Sequence, residues 1–267
     1  MIIAIDTGGT KTLVGRFTDN GTLETTTRFA TPTDVTAYIK QVVGAITAIA
    51  EGTPVTHISI GLPGTVTGGV ATYCINLGWC EVPIRDLLTE HFSDAQIILE
   101  NDANLAGLAS IRRLEPRPAC GLYVTVGTGI GTSIILNGAL HPSLRSSEAG
   151  HMQVAYQSTI DSWENLASGR ALSQQFGELS DTTPPEAWFG AAERLSLGLQ
   201  ALTAAIQPSI IVIGGSIGRY TDKFSAPLAG LITEKLPSFI TCPHIVGAAH
   251  PEEAVLYGCY DNIIVHR

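Results

Sequence analysis

Residues 2–23, IIAIDTGGTKTLVGRFTDNGTL, decide how the chain folds. An apolar, β-branched run reaches Asp6, a Gly/Thr turn follows, and a second run ends at another turn, Asn20-Gly21. Two such runs about a tight turn predict a β-hairpin. The turn has chemistry as well as shape. Gly8 and Gly9 carry no side chain to obstruct an anion, so backbone N–H groups can face it closely, and Thr7, Thr10 and Thr12 add hydroxyl donors. Asp6, at the carboxyl end of its strand, is placed to hold Mg²⁺ directly or through water.

The same grammar returns in residues 121–140, GLYVTVGTGIGTSIILNGAL. Downstream of each hairpin come a helical stretch and another apolar strand: ITAIAEG and THISIGLPG in the first half, AERLSLGLQALTAAIQ and SIIVIGGS in the second. Either hairpin alone could belong to any α/β protein. Two in matching positions predict a duplicated α/β unit with two lobes and a ligand cleft between them. GTGIGT (Gly127 to Thr132) is the second candidate phosphate turn. IGGS (Ile213 to Ser216) ends a third strand and could let a base and ribose lie flat on the backbone. No GxxxxGK[ST] occurs, so none of these is a Walker loop. The best local break is EPRP, residues 115–118. The expected lobes are 1–112 and 113–250, with a C-terminal helix over about 251–267 packing back on the first.

Composition narrows the function classes. The chain has 267 residues, 45% apolar and 15% charged, which suits a globular protein with a substantial core. A net charge of −9 gives no basic footprint for nucleic acid and argues against an anionic membrane surface. No apolar run is long enough for a membrane span, and no signal peptide is visible. The five cysteines are scattered, which reads as reduced thiols in a cytoplasmic protein and builds no zinc ribbon.

Two further stretches carry reactive side chains. ENDAN (Glu100 to Asn104) stands where a strand meets a helix. Asn101 or Asp102 there reads first as a helix cap, and Asp102 could also be a general base toward a substrate hydroxyl. EAGHMQVAYQSTIDSWENLASG (Glu148 to Gly169) offers Glu148, His151 and Glu164 as a metal site, a hydrolytic acid–base pair, or a grip on a polar ligand. A hydrolytic pair leaves the phosphate turns unexplained. The plainest reading of Glu164 is a solvated helix acid.

In order along the chain stand Asp6-Thr-Gly-Gly-Thr-Lys-Thr12, Gly61-Leu-Pro-Gly64, Asn76-Leu-Gly-Trp79, Glu100-Asn-Asp-Ala-Asn104, Gly127-Thr-Gly-Ile-Gly-Thr132, Glu148-Ala-Gly-His151, Glu164 with its Ser-Gly ending, and Ile213-Gly-Gly-Ser216. Together they resemble the ROK family (repressors, open reading frames and kinases), in its sugar-kinase branch with bacterial glucokinases. The resemblance implies an actin-like, ribonuclease-H-like duplicated fold. It also implies transfer of the γ-phosphoryl group of ATP to a hexose hydroxyl.

Residue by residue, it implies Asp102 as general base, with Gly64, Asn76, Asn101, Glu148, His151 and Glu164 beside it on the sugar. Asp6, Gly8, Gly9, Thr10, Lys11, Thr12, Gly127, Thr128, Gly129, Gly131 and Thr132 fall on phosphates and Mg²⁺. Gly214 and Gly215 fall on adenosine. Many members carry a cysteine-rich zinc loop between the histidine and the second glutamate. Here no cysteine separates His151 from Glu164, so no structural zinc is expected.

The expected activity is therefore an ATP-dependent sugar kinase, glucose first, with N-acylmannosamine and fructose as alternative substrates. Polyphosphate stays open as donor, because a phosphate turn does not read the base. A non-catalytic sugar-sensing regulator is the competing class. The expected partners are a hexose, ATP and a second copy in a homodimer, with no nucleic acid and no membrane.

Overall fold

A computed structural model describes residues 1–250 and 252–266. In chain order the first part comprises β1 (Ile2–Thr7), β2 (Lys11–Phe17), β3 (Leu23–Ala30), α1 (Val35–Ala50), β4 (His57–Leu62), β5 (Thr65–Thr67), β6 (Val70–Cys74), β7 (Trp79–Val82), α2 (Ile84–Thr89), β8 (Gln96–Asn101) and α3 (Asp102–Arg112). There follow β9 (Cys120–Val126), β10 (Ile130–Leu136), β11 (Ala139–Leu140), β12 (Gln153–Tyr156), β13 (Thr159–Ser162), α4 (Trp163–Ala167), α5 (Gly169–Phe176), α6 (Pro185–Ile206), β14 (Ile210–Gly214), α7 (Gly215–Gly218), α8 (Thr221–Lys235), β15 (His244–Gly247) and α9 (Ala254–His266). Short 3-10 turns occupy Ile75–Leu77 and Ala149–His151. Residues 251 and 267, at the ends of the expected last helix, lie outside the described residues.

The chain divides into two compact units, Met1–Ala109 with Glu252–Arg267, and Ser110–Pro251. The division falls inside α3, upstream of EPRP. Helix α3 is continuous, and its Ile111 lies under Gly121 of the second sheet, where a Cβ would come within 2.8 Å.

The first unit holds a five-stranded sheet ordered β3-β2-β1-β4-β8. Strands β2 and β3 pair antiparallel to their neighbours, while β1, β4 and β8 run parallel. Strand β1 is apolar on both faces because both faces are covered. Ile3 and Ile5 join Val14, Tyr38, Val42 and Ile46 in one layer, while Ile2 and Ala4 join Leu105, Leu256 and Ile263 in the other. Edge strand β3 alternates half-buried and exposed residues instead, as expected with one open face. Helix α1 starts where the Asp34 side chain accepts from Ala37 N at 2.8 Å. It buries Tyr38, Ile39, Val42, Ile46 and Ile49 at helical spacing and stops at Glu51 in the left-handed region.

The second unit repeats the plan with the order β11-β10-β9-β14-β15, again a hairpin edge followed by parallel strands. Its core joins Leu122, Val124, Val126, Ile211 and Ile213 to Trp163, Leu195, Leu199, Phe224 and Leu228. Among the described residues no helix is long and apolar enough to cross a membrane.

Candidate functional site

The first Gly-rich turn joins β1 to β2 and is closed by Gly8 N donating to Lys11 O at 2.9 Å. Thr31, at the end of β3, braces it from the side. Its N donates to Thr10 O at 3.0 Å, and its hydroxyl donates to Gly8 O at 2.8 Å and bonds the Thr12 hydroxyl at 2.9 Å. Thr12 is therefore buried, while Gly9, Thr10 and Lys11 are exposed. The Thr7 hydroxyl points inward to Tyr38 Oη at 2.7 Å. Burial raises that phenol's pKa first of all. Asp6 remains partly accessible at the strand end, yet its surroundings desolvate it enough to raise its pKa to about 6, against the lowering pull of Lys11.

One carboxylate at an exposed anion turn is the donor set Mg²⁺ accepts, since that ion keeps several waters and binds through one or two carboxylates plus phosphates. Asp6 thus fits Mg²⁺. Among the described residues no three His, Cys, Asp or Glu side chains converge into a metal-holding group. A cavity of about 320 Å³ adjoins Asp6 and Lys11, and Arg28 and Glu252 also line it.

The sugar-side candidates of the first unit lie around the start of α3. Asn101 Nδ2 donates to Gly64 O at 3.0 Å, while its Oδ1 accepts from Asn104 N at 3.0 Å and caps the helix. Asp102 Oδ1 accepts from Ala103 N at 2.7 Å. This bond leaves the carboxylate further lone pairs, since an ionised carboxylate offers about four acceptor sites. Gly64 has φ 125°, and a Cβ there would overlap Tyr73 O. Asn76 is exposed, and its Cβ would lie 3.4 Å from one built on Gly9, which brings it beside the first turn. Burial, aided by the charge of Asp102, raises the Cys74 thiol to about 11.

The second Gly-rich turn joins β9 to β10, and Gly127 N donates to Gly129 O at 3.0 Å. It is braced by a carboxylate: Glu164 Oε2 accepts from Ile130 N at 2.8 Å. A Cβ on Gly129 would overlap that carboxylate. Thr128 is exposed, Gly131 is half-buried, and buried Thr132 accepts from Ala149 N through its hydroxyl at 3.4 Å. Glu148, His151 and Glu164 are grouped here. Burial raises the Glu148 carboxyl's pKa, the charge of Glu164 raises it further, and His151 lowers it. The helix acid Glu164 is therefore no bystander.

Gly214 ends β14, and a Cβ on it would overlap the Tyr123 hydroxyl. Gly215 opens α7 at φ 75°. Beside them lies a cavity of about 450 Å³ lined by Gly127, Thr128, Ser216 and Tyr220, with Arg170, Glu178 and Arg219 at its walls. Sequence reasoning gave no role to Arg170, Glu178, Arg219 and Tyr220, nor to Thr31, Tyr38 and Glu100. Glu100 is buried and accepts from Asn101 N at 3.0 Å and Asn104 Nδ2 at 2.9 Å, tying down the strand-to-helix turn. Its place at the end of an apolar strand was the available signal.

The ROK family model matches residues 2–261. A polyphosphate glucokinase of Mycobacterium tuberculosis (strain CDC 1551 / Oshkosh) is 34% identical over 197 residues, covering 72% of this chain and 68% of the relative. An N-acetylmannosamine kinase of Haemophilus influenzae (strain PittGG) is 27% identical over 284 residues, covering 96% and 93%. The crystal structure of a ROK family glucokinase from Streptomyces griseus in complex with glucose and AMPPNP has a TM-score of 0.80 at 22% identity, with 97% and 98% covered. Its likeness shows the fold alone, the duplicated actin-like α/β arrangement. The matched model runs through both sheets, both Gly-rich turns and the segment from Glu148 to Glu164, so the chain belongs to the ROK family.

Proposed function

We propose that this chain is a sugar kinase that transfers the γ-phosphoryl group of ATP to a hexose hydroxyl, with glucose as the hexose and glucose 6-phosphate as the product. The observation that carries the reading is Glu164. Its carboxylate accepts from the second Gly-rich turn at 2.8 Å and acts electrostatically on Glu148, beside His151. A polar grip suited to several hydroxyls is thereby built onto a turn suited to phosphate. The roughly 450 Å³ cavity beside that turn is large enough for a nucleoside, which favours ATP over a phosphate chain.

In this reading Glu148, His151 and Glu164 orient the hexose together with Asn76 and Asn101. Asp102 accepts the proton of the attacking hydroxyl, whose oxygen bonds to the γ-phosphorus as the bond to ADP breaks. Lys11 and the backbone N–H groups of both turns meet the charge on the transferring oxygens, so most of the catalysis is positioning and electrostatics. Mg²⁺, held by Asp6, would neutralise charge on the donor phosphates.

The relatives' names define the test. The purified protein is incubated with glucose, N-acetylmannosamine and fructose, each with ATP or polyphosphate, and phosphosugar is measured. Glucose with ATP is expected to turn over fastest. Phosphorylation of no sugar with either donor would overturn the kinase reading in favour of a sugar-sensing role. N-acetylmannosamine or polyphosphate as the better reactant would overturn the glucose or ATP assignment.

A further inference from the structure

The segment that follows His151 cannot fix its own position. Among the described residues, strands β12 and β13 pair only with each other, over four residue pairs from Gln153↔Ser162 to Tyr156↔Thr159. A two-stranded ribbon is marginal in water. Helix α4, which carries Glu164, is five residues long and cannot hold itself by helix cooperativity. Its geometry must come from what it is tied to.

Besides the bonds of Glu164 to Ile130 N and of Trp163 N to Met152 O, one residue of α6 makes several of the ties. Arg194 Nη1 donates to Leu166 O at 3.1 Å, and Arg194 O accepts from Trp163 Nε1 at 3.2 Å. Trp163 and Leu166 flank Glu164 on either side. The Arg194 guanidinium carbon also lies 4.9 Å from the ring centre of Tyr156 on β12 and 5.7 Å from that of Phe176 on α5. One turn further along α6, Gly198 lets the Trp163 indole seat against the backbone, because a Cβ there would overlap it. A planar guanidinium can stack on a ring and donate in its own plane together, which a lysine ammonium cannot do.

We infer that Arg194 is a positioning residue for the hexose site, setting the place of Glu164 without touching the sugar. The inference rests on the sugar-gripping reading of Glu164.

Arg194→Met, Arg194→Lys, Tyr156→Leu and Glu164→Ala are to be compared for hexose KM, ATP KM, kcat and Tm, with folding checked by circular dichroism. Glu164→Ala is expected to raise hexose KM most. Arg194→Met should raise it roughly tenfold, because a misplaced binding group loses its geometry, and ATP KM should stay within about twofold. Arg194→Lys and Tyr156→Leu should fall between Arg194→Met and wild type. A merely structural arginine would lower Tm and active fraction without separating the two KM values, and that result overturns the inference. Folded Arg194→Met and Tyr156→Leu with wild-type hexose KM, beside an impaired Glu164→Ala, would overturn it while sparing the sugar reading. An unchanged hexose KM in Glu164→Ala would bring down both. Should Arg194→Met fail to fold, Arg194→Lys and Tyr156→Leu decide by the same criteria.

Discussion

The turn of residues 8–10 and the turn of residues 127–129 occupy the same place in two sheets of the same plan, each linking an antiparallel strand pair. They are supported in opposite ways. Around the first, neutral groups do the bracing: the Thr31 hydroxyl donates to Gly8 O and its N–H to Thr10 O, and Thr7 bonds Tyr38. The charged groups beside it, Asp6 and Lys11, take no part in that bracing and in the proposed reading serve the donor and its metal. Around the second, a carboxylate braces an N–H, and the same carboxylate belongs to the Glu148–His151 group. Duplication supplied two equivalent phosphate turns. In the proposed reading the two turns divide the labour: the first keeps free charge for the donor phosphates, and the second shares its bracing carboxylate with the sugar.

The largest effect expected falls on the chemical step. Asp102→Asn keeps the Ala103 N–H bond and the shape but cannot accept a proton, so kcat should fall about 10²- to 10⁴-fold. Retention of more than about a tenth of wild-type kcat would remove the base assignment.

Glu164→Ala probes the other unit. Loss of a charged acceptor facing hydroxyls costs about 1.5–3 kcal/mol, roughly tenfold to over a hundredfold in hexose KM, with much less effect on ATP KM. Glu148→Ala and His151→Ala should share that asymmetry. Equal small effects on both substrates would break the division of labour.

Asp6 gives a pH test of the first turn. Its pKa rises from 3.8 unfolded to about 6 folded, so the folded state holds the proton more tightly. This favours folding while the group is protonated, and the benefit is lost as pH rises from below 3.8 through about 6. Asp6→Asn should therefore be more stable than wild type by about 1–3 kcal/mol above that window, with the gain vanishing below pH ~4. Denaturant melts at several pH values check it, and a pH-independent difference would contradict the burial argument.

Thr31→Val is the smallest of the four. Removing the hydroxyl that supports Gly8 O should cost about 1 kcal/mol of stability. A larger rise in ATP KM than in hexose KM would place the brace on the donor side, and the reverse pattern would contradict the comparison.

The hairpins and the strands behind them were legible because a period-two apolar pattern around Gly/Thr turns has one easy structural meaning. The duplication followed from its recurrence, and Asp102, Glu148, His151 and Glu164 became candidates through ordered motifs. The bracing was not legible. Thr31 reads as one more polar residue after a threonine-rich edge strand, and its two partners in the turn are main-chain carbonyls. Arg194 and Gly198 sit in an unbroken helical pattern, and only tertiary packing reveals which side chains they serve. Glu164 could be proposed as a site candidate by its motif, but the sequence could not show it bonded to Ile130 N. Motifs name candidate ligand-facing groups more readily than the residues that hold them still.

The most direct test of the division of labour is calorimetric titration of glucose into Asp102→Asn and Glu164→Ala side by side. The account predicts that Asp102→Asn binds glucose within about threefold of wild type despite its lost turnover, while Glu164→Ala binds at least tenfold more weakly. Wild-type glucose affinity in Glu164→Ala would contradict the claim that the second turn's carboxylate holds the sugar.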